Sequence, residues 1–203
     1  MTITLASQSP RRVELLRRIG VEVIVRPSHA KEELITPEVI RRVHPGIADQ
    51  EVPPLVTLER TRLKAAAVPP EEGTPLALAA DTTVEVSGVI LDKPSDADQA
   101  RHMMQLLSGR THRVHTAVIL YSGDSRRMEE VVTTEVSFAP LTEDDMQWYF
   151  QEDDWVDVAG GYRIQGRASA FITTLSGNAD AVMGLPSATV YSMLKAFMAG
   201  LRR

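Results

Sequence analysis

Leu5-Ala6-Ser7-Gln8-Ser9-Pro10-Arg11-Arg12-Val13-Glu14-Leu15-Leu16 changes its hydrophobic period partway along its length. Upstream, Ile3 and Leu5 alternate with polar neighbours, as in a half-buried strand. Downstream, Val13, Leu15, Leu16 and Ile19 recur at helical spacing, with Ser9 placed as an N-cap, Pro10 as the first helical residue and Gly20 as the stop. A strand, a turn and a helix at the head of the chain argue for an α/β fold. The same helix starts oddly, because Arg11 and Arg12 stand where acidic residues are preferred. Two exposed cations there oppose the helix dipole by a few tenths to about 1 kcal/mol each. A bound anion reverses that sign, since free N–H groups, the dipole and two guanidinium forks would converge on it. Phosphate is the obvious anion; two solvated surface charges are the other reading.

Working outward, Val21, Val23 and Val25 alternate as a second strand, and Thr36-Pro37 opens a short helix with Val39, Ile40 and Val43 on one side. The polar, proline-bearing stretch from His44 to Pro54 reads as a loop, and Leu55 to Val68 as a helix ended by Pro69-Pro70. Leu76–Val86 and Val89–Leu91 form a hairpin turning at Ser87-Gly88. Ser95 with Asp98 starts a helix through Leu107 in the manner of a capping box, and Thr142 with Asp145 repeats the pattern before Met146. Val114–Tyr121 and Val131–Phe138 make a second hairpin, Ala168–Leu175 a further strand, and Leu185-Pro186 leads into a terminal helix through Leu201. Hairpins intermixed with helices predict a mixed, mostly antiparallel-edged sheet.

The chain has 203 residues, which fits one catalytic unit over 1–203 or two small lobes about one cleft. A net charge of −5 argues against a protein that coats polynucleotides. No apolar run is long enough to span a bilayer, and Met1–Ala6 lacks the pattern of a signal peptide, so neither membrane insertion nor export is expected. With no cysteine, there is no disulfide, thiolate metal site or cysteine nucleophile, which fits the cytosol; any metal must sit on carboxylates or histidines. A Walker loop and a His-x-x-x-His spacing are both missing, and His112 and His115 read as local hydrogen-bonding groups.

Asp81 interrupts the apolar strand Ala79-Ala80-Asp81-Thr82-Thr83-Val84, and a half-buried carboxylate needs a metal or a cation. Lys93 follows the hairpin, so it and Asp81 could face one cleft; an edge Asp paired with any surface lysine is the alternative. Glu32, Glu33 and Lys64 are, taken alone, ordinary surface charges. In the glycine-flanked segment Asp157–Gly166, Gln165 offers donor and acceptor to a base edge and Tyr162 offers stacking, or the segment is only a tight turn.

Together, the opening segment, Ala80-Asp81-Thr82, Asp92-Lys93-Pro94, Leu107-Ser108-Gly109-Arg110-Thr111-His112, Ala159–Gly166 and Val182-Met183-Gly184-Leu185-Pro186 resemble the ordered motifs of the Maf family of nucleotide pyrophosphatases. The resemblance implies an α/β fold related to the inosine triphosphatase-like proteins, with an elongated mixed sheet, flanking helices and two lobes around a cleft. It implies a cytoplasmic enzyme, frequently a homodimer, that cuts a nucleoside triphosphate between its α- and β-phosphates with Mg2+ or Mn2+. Ser7, Arg11, Arg12, Lys64 and Lys93 match the family's phosphate-contacting positions, with Ser9 in the same turn. Asp81 matches its catalytic acid residue and, with Glu32, the metal-linked carboxylates; Lys93 is expected beside Asp81 in catalysis. Arg11, Thr82 and Gln165 look like the branch acting on dTTP and UTP. The alternative is a nucleotide-binding regulator of septum formation whose turnover is incidental. His29-Ala30-Lys31, Val158 and Asp180 depart from the family pattern, and the segment from about Ile35 to Leu55 is longer than that pattern.

Overall fold

The computed structural model describes residues 1–124 and 126–200. One sheet of seven strands forms its centre, in the order β2-β1-β3-β5-β6-β7, with β4 on β3. These are β1 (Thr2–Leu5), β2 (Glu22–Val25), β3 (Leu76–Val86), β4 (Val89–Leu91), β5 (Thr111–Ser122), β6 (Arg127–Phe138) and β7 (Ile172–Ser176). The helices are α1 (Pro10–Arg18), α2 (Pro37–Val43), α3 (Val52–Ala67), α4 (Ala97–Leu107), α5 (Glu143–Tyr149), α6 (Ala179–Val182) and α7 (Ser187–Gly200). Among the described residues no helix is long and apolar enough to cross a membrane. The expected last residue of the terminal helix, Leu201, lies outside the described residues.

The mixed sheet is as expected, but one side of it is parallel. β1 runs parallel to both β2 and β3, whereas β3, β4, β5, β6 and β7 pair antiparallel. Helical crossovers impose this, since α1 returns the chain from β1 to β2, and the segment carrying α2 and α3 returns it to β3.

β3 decides where the site lies. Its one edge pairs with β5 from Leu76 to Glu85. Its other edge is shared, because β1 reaches only Ala77 and Leu78 while β4 holds Val84 to Val86. Residues 79–83 therefore have no strand partner on that side, and Asp81 sits in the middle of the gap. Strand alternation sends Leu76, Leu78 and Ala80 into a core with α1 and α7, through Leu15, Leu16, Val190 and Met193. Farther along the same face, Val84 and Val86 enter a second core with α4 and α5, through Met104, Leu107 and Tyr149. Thr82 separates the two. Ala77 and Ala79 face the other way, packing with Ile119 and Tyr121 against Leu58 and Ala65 of α3.

Three local expectations shift, and one further helix goes unforeseen. The helix expected from Leu55 begins at Val52, because Pro53 and Pro54 fit a first turn where no N–H is needed. Asp96, not Ser95, caps α4: its carboxylate accepts from the Gln99 N–H at 2.8 Å and from the Ser95 hydroxyl. The first part of the strand expected over 168–175 is a 3-10 turn at Arg167–Phe171, and the strand starts at Ile172. Helix α6, capped by Asn178, is too short to leave a periodic signal.

His112 and His115 do serve as local hydrogen-bonding groups. His112 Nε2 meets the Tyr162 hydroxyl at 2.7 Å and His115 Nδ1 meets Thr133 Oγ1 at 2.9 Å, while the second nitrogen of each is buried without a partner. Burial pushes both imidazoles down to about 4, with Arg113 adding to the effect on His115. Because each folded pKa lies below the ordinary value of 6.5, the unfolded chain takes up protons first as pH falls. The stabilisation is complete above that value and is lost as pH falls from it towards about 4. At pH 5 the loss is on the order of 2 kcal/mol per histidine, or roughly 10 °C in Tm for the pair. Thermal unfolding at pH 7 and pH 5 should show this fall, and His112→Gln with His115→Gln should flatten it; an unchanged slope in the double variant would contradict the assignment.

Candidate active site

The gap in the β3 edge opens into a cleft of about 870 Å³, and every residue singled out from the sequence lines it: Ser7, Ser9, Arg11, Arg12, Glu32, Lys64, Asp81, Thr82, Lys93 and Gln165. Asp81 and Thr82 point to opposite faces of the sheet, yet both reach the cleft because no strand covers the edge between them.

The opening turn places the first group. β1 ends at Leu5 beside β3, so the chain enters α1 directly over the gap. Ser9 has an N-cap backbone conformation, but its hydroxyl bonds none of the first-turn N–H groups. Instead the Ser9 N–H donates to Ser7 Oγ at 3.2 Å. Arg12 lies along the floor, only 8% exposed. Its Nε donates to the Gly184 carbonyl at 2.9 Å, Nη1 to Ser7 Oγ at 2.9 Å and Nη2 to Thr82 Oγ1 at 3.3 Å. Burial lowers its pKa, which the Asp81 charge partly offsets. Gly184 presents its carbonyl with φ of +115°, a conformation that L side chains rarely adopt, so the glycine is required there. Arg11 is half-buried, and its pKa is lowered by burial first and then by the like charges of Arg163 and Arg12.

The second group faces the first. Lys64 Nζ donates to Asp81 Oδ1 at 2.7 Å and forms an ion pair with Glu32 Oε2 at 2.6 Å, with the lysine and aspartate side chains 9% and 11% exposed. Burial lowers the ammonium's pKa, Asp81 raises it, and Arg12 lowers it again. Lys64 is thus no ordinary surface charge: it balances two carboxylates, of which Asp81 is nearly buried and Glu32 is 33% exposed. Such a cluster adds little to stability relative to apolar packing, and perturbed ionisable groups of this kind gather at functional sites. Among the described residues no group of three or more His, Asp and Glu side chains converges as a metal cage. Two hard oxygen donors do converge, on the Lys64 ammonium, and that donor set suits Mg2+ or Mn2+ completed by phosphate oxygens and water.

Lys93 closes the far side, with Nζ 2.6 Å from Asp157 Oδ1 and both side chains well exposed. The loop beyond Asp157 is held close to the sheet: a Cβ at Gly160, where φ is +71°, would stand 2.9 Å from Val84. Gln165 is exposed and free to meet a ligand. Tyr162 is not the stacking platform its type suggested, because it is 5% exposed, with its ring edge-on to His112 and Phe138 and its hydroxyl on His112. Sequence reading missed Arg60 and gave no role to Asp92, and both also line the cleft. Arg60 precedes Lys64 by one helical turn, the spacing that puts both on one face, and this was the available signal.

Known proteins resemble the chain along almost its whole length. The family model described as Maf-like protein matches residues 2–197. The dTTP/UTP pyrophosphatase of Symbiobacterium thermophilum is 42% identical over 199 residues, covering 96% of this chain and 93% of that protein. That of Anaeromyxobacter dehalogenans strain 2CP-1 is 41% identical, covering 95% and 92%. The Escherichia coli K12 protein of the same name is 37% identical, covering 98% and 94%. Since the matched span takes in both arms of the cleft, from the opening turn to α7, the chain belongs to the Maf family.

Proposed function

We propose that residues 1–203 act as one catalytic unit, a nucleoside triphosphate pyrophosphatase that converts dTTP and UTP to the monophosphate and pyrophosphate. The observation that carries this reading is the placing of Arg12 and the α1 amino terminus on one side of a nucleotide-sized cleft, opposite the Lys64–Asp81–Glu32 cluster on the other. The names of the relatives supply the substrates.

In this reading Ser7, Ser9, Arg11, Arg12 and the free N–H groups of α1 bind phosphate oxygens, and Lys64 adds its charge. Asp81 orients a water and takes its proton as the water oxygen bonds to phosphorus and the α–β bridging bond breaks. The electron pair leaves with pyrophosphate, and Lys93 exchanges Asp157 for the negative charge of the leaving group. Glu32 and Asp81 would hold Mg2+ or Mn2+, which when bound neutralises phosphate charge. A cytoplasmic homodimer, as the family resemblance implies, belongs to the same proposal.

The test is to identify the ion released from dTTP and UTP with Mg2+ or Mn2+. Pyrophosphate is expected; orthophosphate would move the cut, and tight binding without release would favour the regulatory role. Base choice is assigned to Arg11, Thr82 and Gln165. Thr82 is engaged by Arg12 and by Thr116 at 3.0 Å, which leaves Gln165 as the most available base contact. Gln165→Ala is expected to narrow the preference for pyrimidine over purine triphosphates by roughly tenfold, one hydrogen bond's worth. Competitive turnover of paired nucleotides measures it, and an unchanged ratio would remove Gln165 from the specificity set.

A further inference from the structure

Arg60 is the most deeply buried cation of the cleft wall that the reaction above does not use. Its side chain is 7% exposed, and each of its three nitrogens already donates a hydrogen bond. Nε donates to the Ile35 carbonyl at 3.0 Å, and the two arms of the fork donate to both carboxylate oxygens of Asp92. These partners belong to separate pieces of the site. Ile35 ends the 3-10 turn Glu32–Leu34, whose Glu32 reaches Lys64. Asp92 precedes Lys93, and its own carbonyl accepts from the Gly160 N–H at 3.2 Å, in the loop that carries Asp157.

Apolar contacts repeat the same connection. Ile35 and Ile90 pack on a small core of Ile40, Val52 and Val56. The segment after Ile35 therefore folds into α2 and the start of α3, and braces the β4 end of the hairpin. Arg12 donates only to a carbonyl and two hydroxyls and keeps its charge for an anion, whereas the Asp92 carboxylate neutralises Arg60, which is therefore poorly placed to bind phosphate but well placed to fix distances. Its planar fork holds two partners at once, which a lysine cannot.

We infer that Arg60 is a positioning residue: through Ile35 and Asp92 it locks the Glu32 turn and the Lys93 rim onto α3, and so sets the spacing between the carboxylate cluster and the far-side lysine. The inference rests on the reading of the cleft as a nucleoside triphosphate site, and its test has one arm that does not depend on that reading.

That arm is amide hydrogen exchange on the ligand-free protein. In Arg60→Met, exchange at Leu34, Ile35 and Gly160 should accelerate together by at least tenfold, with β1 and β5 unchanged; uniform acceleration across the sheet would mean only lost stability and would overturn the inference. Asp92→Asn, at an exposed position that preserves the fold, should accelerate the same amides by a smaller factor. The second arm is kinetic, with dTTP and Mg2+. Arg60→Met and Asp92→Asn should each lower kcat, the first by roughly 10- to 100-fold, with KM changed less than threefold, and the double variant should be no worse than Arg60→Met. A raised KM in Arg60→Met with unchanged kcat, together with a lowered KM in Asp92→Asn, would make Arg60 a direct phosphate ligand and overturn the inference. If the wild-type chain releases no pyrophosphate, the proposed reaction fails, while the exchange arm still decides the role of Arg60.

Discussion

Asp81→Asn is expected to lower kcat by roughly 10²- to 10⁴-fold, the usual contribution of a positioned general base, while the fold survives. The second half of that expectation comes from the neighbours. Asp81 is 11% exposed and its carboxylate takes a 2.7 Å bond from Lys64. Removing one partner of a buried ion pair ordinarily costs about 3–5 kcal/mol, because the remaining charge is stranded. Here it is not stranded, since Glu32 contacts the same ammonium at 2.6 Å and an asparagine oxygen still accepts a hydrogen bond. The cost should therefore fall well below that range. Asparagine cannot take a proton from water or carry the charge a divalent ion needs, so the chemical step suffers where the fold does not. Pyrophosphate release at saturating nucleotide, read beside thermal unfolding, separates the two. A variant with wild-type kcat would remove Asp81 from the reaction, and one that failed to fold would show that Glu32 does not compensate.

The candidate site was unusually legible, for reasons that differ from residue to residue. Arg11 and Arg12 stood out because they contradict the dipole of their own helix, and a local contradiction is visible in local sequence. Asp81 stood out because it breaks an apolar strand. Lys64 did not, because α3 packs one side on the sheet and turns another to the cleft, so its periodicity is weak and a buried lysine looks like a solvated one. Nor could the gap in the β3 edge be read. It arises because β4 covers only Val84 to Val86, a local hairpin, while β1 stops opposite Leu78, and that second pairing joins segments about seventy residues apart. The same holds for Arg60, whose partners at Ile35 and Asp92 come near it only through tertiary packing. At the capping and proline positions the reverse applied: the signals were real, but one or two neighbouring residues could each have carried them, as Ser95 and Asp96 show.

Arg12 calls for a gentler substitution than charge reversal. A glutamate there would bury a carboxylate close to Asp81, with nothing left to balance it, and would test folding rather than catalysis. Arg12→Lys keeps the charge and removes the fork. Its single ammonium cannot serve the Gly184 carbonyl, Ser7 Oγ and Thr82 Oγ1 together, so Ser7 loses the contact that orients it towards the α1 amino terminus. If Arg12 contacts phosphate, kcat/KM should fall by roughly 10²- to 10³-fold, the scale set by losing one preorganised donor in a water-poor site. The fall should be equal for dTTP, UTP and the purine triphosphates, because a phosphate group is common to all. Arg11 lies under the influence of Arg163 and Asp157, on the side of the cleft that carries Gln165, and Arg11→Lys should instead reorder the nucleotides. The decisive quantity is the ratio of kcat/KM values across the panel: constant in Arg12→Lys and altered in Arg11→Lys. The same pattern in both variants would dissolve the division of labour between the two arginines.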